Sequence, residues 1–581
     1  MSNQNGVCVN ANKVKEELII AMMNSSMKMN VKSPCTRSIS KSIFLFLTLL
    51  IVEGNSAVAQ FRTLNKDLFR AEKDHTLNDT IIYHKVKVNG SGNLLPWYST
   101  NYGESFDHVV KLVWKFWDNM KLDTNGVKYY MNHQVWRADH DGRGIGGDQV
   151  AMGLSSWDLY YNYLGDQALI DNMKYQADYY LAHSLSSPSA KWPDIPYPYN
   201  TNVESGIYDG DMKAPIGVLQ PDKAGSFGFE LVRLYKKTGE IRYLDAAIKI
   251  ANTLAANIKP GDIDHSPWPF KINAQTGEVP DLGVNDFYRE PRKATYTTNW
   301  TGTLELFSEL IGLQKGNKDD YKKAFNLTLH WMKTYPEKTN DWGPFFEDVP
   351  GYSKTQINAT TYAMYVMEHP DLYVDWKKTV TGIFDWVHQV FNNKDWAKYG
   401  VTVTNEQTAY LVPGNSHTAR QASMELLYWS LTGDTSLTRN AVRELIWATY
   451  AVDNDGKNYY PTNDVWMTDG YGDYVRHYIR AMAAAPQLAP SDADHMLRTS
   501  SVVQHISYKP NRITYKIFDK ASNDLFRLTA KPGKISVSGK PLIEVSDRNK
   551  EGWFWQPLDK GGIVSIRQKQ GNMITINKPL E

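Results

Sequence analysis

Apolar residues recur at helical spacing through most of residues 100–490 and alternate strand-like only towards the two ends of the chain. The first helical segment is 106–120, FDHVVKLVWKFWDNM. Five pairs of amphipathic segments follow, at 149–164 with 167–183, 222–238 with 241–258, 299–315 with 318–335, 358–369 with 372–390, and 417–432 with 435–451. Within each pair the first segment stops at a Gly or Pro followed by an acidic or amide residue, as in Gly165-Asp166, Gly239-Glu240, Gly316-Asn317, Pro370-Asp371 and Gly433-Asp434. A glycine there supplies a left-handed C-cap, so each pair reads as a tight helical hairpin. A further helix begins near Tyr471. Twelve helices in alternating inner and outer order predict an (α/α)6 toroid, because stacked hairpins bury a continuous core and closing the ring removes its open ends.

The connections between hairpins are long and rich in Trp, Gly and Pro (184–221, 259–298, 391–416, 452–470), unlike the tight turns within them. Long loops gathered at one rim are where a cleft belongs. Before the helices, 80–88 (TIIYHKVKV) alternates like a strand; after them, seven short strands are predicted at 500–507, 512–518, 524–530, 534–538, 542–545, 562–568 and 572–577. The expected organisation is a 1–59 leader, a 60–102 N-terminal segment, a 103–490 helical barrel and a 496–581 antiparallel β domain.

The leader reading rests on Lys41, the apolar run 43–52 (IFLFLTLLIV) and the small-residue sequence Ala57-Val58-Ala59, the pattern of a cleavable export signal. A run of ten is too short for a permanent anchor, so a secreted or periplasmic protein cleaved near Ala59 is expected. The only cysteines, Cys8 and Cys35, fall in this leader, which leaves the remainder without a disulfide, thiol nucleophile or thiolate ligand. A formal charge of +1 and the absence of a basic stripe argue against a nucleic-acid partner. Aromatic residues make up 12% of the chain, with 18 Trp and 35 Tyr, a supply of flat faces suited to sugar rings.

No phosphate-binding glycine loop, HExxH pair or nucleophile elbow is present, and no cofactor or metal is expected. Polar clusters instead stand at the starts of the inner helices. One holds Arg137, Arg143 and Asp148; two guanidinium groups fit the two oxygens of a carboxylate. Others hold Trp192 in a tyrosine-rich loop, Asn299 beside Trp300, and His417 with Arg420 at i,i+3. The densest is TNDVWMTDGYGDYVRHYIRAM (462–482), where Asp473 and His477 form an i,i+4 pair next to Tyr471.

Two chemistries fit this set. Glycoside hydrolysis needs two carboxylates, for which Asp148 with Asp473, Asp469 or Glu406 are candidates, the first pair being preferred for an exo-acting glucuronidase. β-Elimination from a uronic acid needs a base for the C5 proton, an acid for the group leaving C4, and cations or amides to neutralise the substrate carboxylate. Tyr, His, Arg and Asn outnumber obvious carboxylate pairs, which favours elimination.

The hairpin units, the NWTGTLELF and TDGYGDYVRHYIRAM segments and the trailing β domain together resemble secreted six-hairpin (α/α)6-barrel enzymes acting on uronic-acid glycans, nearest to an ulvan-degrading oligosaccharide dehydratase. That resemblance implies removal of water from a terminal uronic acid to leave a 4,5-unsaturated sugar. The residues then take the following expected roles: Tyr471 and His477 as acid and base, Asp473 orienting His477, Arg137, Arg143 and Asn299 on the carboxylate, and Trp192 and Trp300 stacking on sugar. An exo-acting glucuronidase, a polysaccharide lyase and a non-catalytic glycan-binding barrel are the alternatives.

Overall fold

Each inner helix begins where a long connection ends, and that placement sets the architecture. The computed structural model describes residues 61–69, 74–133, 144–202, 204–211, 216–281, 294–345, 354–408, 411–459 and 471–579, with the side chains of Tyr471 and Gly472 left aside. The leader 1–59 lies outside the described residues, and among these no helix is long and apolar enough to cross a membrane.

Among the described residues twelve long helices run in chain order: α1 (Tyr102–Asp118), α2 (Gly147–Leu164), α3 (Gln167–His183), α4 (Pro221–Thr238), α5 (Ile241–Ala256), α6 (Thr301–Gly312), α7 (Lys318–Thr334), α8 (Gln356–Glu368), α9 (Trp376–Phe391), α10 (Asn415–Thr432), α11 (Thr438–Thr449) and α12 (Tyr471–Ala484). The even-numbered helices pack on one another in sequence, and α12 returns to α2, closing an inner ring; α3, α5, α7, α9 and α11 pack outside their hairpin partners, and α1 outside α12. This is the (α/α)6 toroid.

Burial separates the two layers. In α10 every residue from Asn415 to Leu426 is buried, as a helix enclosed on all sides requires, whereas outer α7 buries one stripe of Tyr321, Ala324, Thr328, Trp331 and Met332. The hairpin turns follow the glycine rule: Gly165, Gly239 and Gly433 end their helices at φ 74°, 78° and 85°. Segment 80–88 is not one strand. Strands β1 (His75–Ile81) and β2 (His84–Val88) pair across a turn in which Ile82 takes φ 52°, so the alternation spans a hairpin rather than a single strand, and β3 (Leu94–Leu95) pairs antiparallel with β2.

Nine C-terminal strands form two antiparallel sheets: β4 (His495–Thr499), β5 (Val503–Lys509), β6 (Arg512–Ile517), β7 (Ser522–Leu528), β8 (Lys534–Val537), β9 (Lys540–Leu542), β10 (Gly552–Pro557), β11 (Gly562–Gln568) and β12 (Met573–Asn577). The orders are β9-β8-β12-β6-β5 and β10-β11-β7-β4. β4 and β10 were not expected from the pattern, since β4 follows the last helix within a few residues and β10 is the unalternating aromatic run GWFWQP. The sheets dock on the C-terminal ends of inner helices: Tyr508 Oη donates to Asn162 O (2.5 Å), Lys237 Nζ to Val503 O (2.7 Å), and His495 stacks on Tyr163 at 3.7 Å. The β domain therefore covers the end of the ring opposite the inner-helix N-termini.

Two glycines let α4 and α6 approach closely. A Cβ on Gly225 would overlap the Thr303 side chain, and one on Gly302 would lie 2.5 Å from Ser226 Oγ. Gly225→Ala is expected to cost about 1–3 kcal/mol through overpacking despite its gain in helix propensity. At Gly382 on outer α9, where a Cβ meets open space, Ala should instead stabilise by about 0.5–1 kcal/mol. Urea denaturation of both variants measures the contrast, and equal effects would contradict the inner–outer assignment.

Candidate active site

The inner ring encloses a cavity of about 480 Å³ along its axis. Its upper wall comes from inner-helix N-termini, through Asp148, Ser155, Asn299, Thr301 and Ile357 together with Phe345. Deeper, Asp158, Glu230, Arg233, Glu305, Arg476 and Arg480 line it, and Arg498 and Thr499 of β4 lie at its far end. Six helix N-termini directed at one end bring unsatisfied N–H groups and positive dipole ends together there.

Asp148, in the first turn of α2, is buried and lines the cavity. Asn299 lines it too, with Nδ2 donating to Asp222 Oδ2 at 2.8 Å. Lys223 Nζ lies 3.3 Å from the same Asp222 oxygen, donates to Phe345 O (2.5 Å) and sits 3.4 Å from the Phe345 ring centre. This joins the starts of α4 and α6 to the segment before α8.

The Asp473 network stands behind the wall. Its carboxylate accepts from Ser416 Oγ (2.8 Å), Arg476 Nε (2.7 Å), His477 Nε2 (2.9 Å) and the Arg420 guanidinium. Arg420 and Arg476 hold the Asp473 carboxyl well below the usual carboxylate range against the cost of burial. Burial keeps the His477 imidazole neutral, its pKa well below the ordinary histidine value, although Asp473 opposes this. With Asp473 ionised, His477 Nε2–H is the donor, and Nδ1 faces Ser423 Oγ at 3.3 Å, a hydroxyl that itself donates to Arg420 O at 2.9 Å. Of this network, Ser423 and Arg476 line the cavity, and Arg476 Nη1 also reaches Ser155 Oγ on α2 at 3.5 Å.

His417 is buried in α10, its pKa lowered to about 3 by burial and then by Arg420. It is absent from the cavity wall, as is Arg420, which joins Asp473 and donates to Gln356 Oε1 at 3.3 Å. The two tryptophans correct the stacking expectation. Trp300 is fully buried against Trp268 with Nε1 donating to Thr297 O, and Trp192 is 4% exposed within the core. An indole enclosed by apolar neighbours offers no face to a sugar. Arg137, Arg143 and Asp469 lie outside the described residues, as does the Tyr471 side chain.

The feature that sequence reasoning missed is Glu230, in the middle of α4. It is 7% exposed, faces the cavity, and its Oε2 has no hydrogen-bond partner among the described residues. Burial raises its pKa from 4.5 to about 7, against the pull of Arg233, Arg476 and Arg480 and with Asp158 adding to the rise. Asp158 itself is held at about 2 by Lys237 and Arg233 despite full burial. Two carboxylates on one wall are thus driven apart, one fixed as an anion and the other able to give or take a proton near neutrality. In sequence the i,i+3 spacing of Glu230 from Arg233 looks like an ordinary surface ion pair on a helix, so nothing there marks it.

No protein-family model matches the chain, and no curated protein sequence matches it. Solved structures are similar to it at low identity. A cellobiose 2-epimerase from Spirochaeta thermophila matches at 13% identity and a TM-score of 0.49, over 66% of this chain and 96% of that one. A family 76 glycoside hydrolase from a bovine Bacteroides thetaiotaomicron strain matches at 13% identity and 0.44, over 69% and 83%. A D-mannose isomerase matches at 10% identity and 0.46, over 65% and 98%.

Proposed function

We propose that this chain is a carbohydrate-active enzyme that takes an acidic sugar into the axial cavity and uses Glu230 to transfer a proton. The observation that carries the reading is the Glu230 carboxyl, which lacks a hydrogen-bond partner among the described residues and faces the axial cavity with a pKa of about 7. A volume of about 480 Å³ is in the range of small-ligand sites. The wall offers Asn299, Ser155 and Ser423 to hydroxyls, Phe229 to a sugar C–H face, and the Arg476 guanidinium to a carboxylate.

β-Elimination from a uronic acid uses these groups most fully. A base takes the C5 proton, for which Tyr471 at the start of α12 remains the candidate. Electrons move into the C4–C5 bond, the C4–O bond breaks, and protonated Glu230 gives its proton to the departing oxygen. Loss of a hydroxyl releases water and leaves the 4,5-unsaturated uronic acid of an oligosaccharide dehydratase, ulvan-derived sugars being the substrate class that the sequence resemblance suggests. Arg476 and Asn299 would meet the substrate carboxylate as charge develops, while Asp473 and His477 would position Arg476 and Ser423 rather than touch substrate. Export follows from the leader motif at 41–59. Asp148 and Glu230 on one cavity wall favour hydrolysis as the second reading.

Saturated glucuronate-terminated oligosaccharides separate these outcomes. Ultraviolet absorbance of a conjugated uronate, with product mass lower by one water, is the expected result. Chain cleavage without new absorbance would instead establish the hydrolase, and no turnover of either kind would overturn the proposal. Glu230→Gln should lower kcat/KM by about 10²–10⁴-fold, and in the wild type kcat/KM should fall as pH rises through about 7.

The same carboxyl makes a stability test. Its folded pKa lies above 4.5, so its contribution to stability is fully present below 4.5 and is lost as pH rises through about 7. Glu230→Gln should match the wild type at acid pH and exceed it above neutrality by an order of about 3 kcal/mol. A pH-independent difference would show that Glu230 is not held protonated.

Asp473→Asn should destabilise the fold by about 3–5 kcal/mol in urea denaturation, because the Arg420 and Arg476 charges lose their shared buried partner. A cost below about 1 kcal/mol would contradict the network's positioning role.

A further inference from the structure

The far end of the cavity carries a second set of groups that the proposed reaction does not use. Arg480 on α12, Arg498 on β4 and Glu368 at the end of α8 all line it. None of the three side chains makes a hydrogen bond or close ion pair with another described residue. Neighbouring carboxylates are already engaged: Glu305 with His369 Nε2 at 2.7 Å, and Asp158 with Arg233 and Lys237.

Surrounding protein depresses the Arg480 pKa to about 10 and lowers that of Arg498, and burial raises that of Glu368. Yet Glu368 and Arg498 keep solvent-exposed surface. Crowding together with exposure describes a water-filled crevice, here at the seam between the helical ring and the β domain. The two guanidinium groups there have no side-chain acceptor among the described residues, so an oxyanion entering the crevice would displace water rather than a protein partner. Glu368 balances one of the two charges by field alone, which leaves a net positive site. Arg548 adds a third guanidinium within electrostatic reach of Arg498.

The geometry points to an oxyanion-binding site at this seam, with Arg480 from the barrel and Arg498 from the β domain as its two forks. The ligand chemistry is a carboxylate or sulfate group, either free or carried on a sugar, since planar N–H forks match paired oxyanion oxygens. On this account the β domain completes a binding site as well as covering the ring.

Isothermal titration of the folded full chain with sodium sulfate and with sodium glucuronate, at ionic strength matched with sodium chloride, tests it. Saturable binding of at least one of them is expected, weakened about tenfold in Arg498→Gln and in Arg480→Gln and tightened in Glu368→Gln. Sulfate binding identifies a free-oxyanion site, whereas glucuronate binding without sulfate binding identifies a sugar carboxylate. The site is overturned if neither binds more tightly than chloride, or if Arg498→Gln and Glu368→Gln both bind as the wild type does. No turnover is needed, and the Arg498→Gln and Glu368→Gln comparisons separate binding at this seam from glucuronate held by Arg476 and Asn299 in the proposed reaction.

Discussion

The ring closes through one carboxylate. Asp473 on α12 gathers Ser416 and Arg420 of α10 with Arg476 and His477 of its own helix, and Arg476 goes on to Ser155 of α2. Those three helices are the last, the next to last and the first of the inner ring, so the network lies across its closing joint. A carboxylate surrounded by cations and donors cannot be exchanged for water without leaving charges uncompensated, which holds the joint in one register. The Arg476 side chain that reaches the cavity is fixed by the same constraint.

Closing the ring has a second consequence. Inner helices are enclosed on every side, so any charged residue on their axial face is withdrawn from bulk water and must be paired, neutralised or used. Asp158 is paired, Asp473 is paired several times, and Glu230 is shifted to near neutrality. The cavity thereby sets fixed charges beside Glu230, which can exchange a proton near neutrality. Its far end differs because the β domain contributes Arg498 and leaves a crevice that water can enter.

The hairpins were legible because their signals are local. Gly165, Gly239 and Gly433 mark helix ends through a left-handed conformation that few other residues accept. The gathering of Asp148 and Asn299 onto one cavity could also be expected from helix starts that follow long connections. Trp192 and Trp300 misled because an aromatic beside an amide looks the same in sequence whether its face is open or packed; Trp268 and the surrounding core decide it. His417 and Arg420 share a helix face by spacing, yet neither lines the cavity, and the Arg420 guanidinium instead meets Gln356 of α8 and Asp473 of α12. Glu230 was illegible because GFELVRLYKK reads as an amphipathic helix with surface charges, and only the closed ring reveals which side is enclosed. β10 escaped for the opposite reason, since buried Gly552, Trp553 and Phe554 give a continuous rather than alternating pattern.

The most direct measurement is a carbon NMR titration of the full chain carrying glutamate labelled at the side-chain carboxyl, with Glu230→Gln used to assign the resonance. A Glu230 carboxyl that titrates near pH 7 is the result this account requires. Titration at the ordinary glutamate value of about 4.3 would mean that the cavity is open to bulk water and that Glu230 carries no proton to deliver.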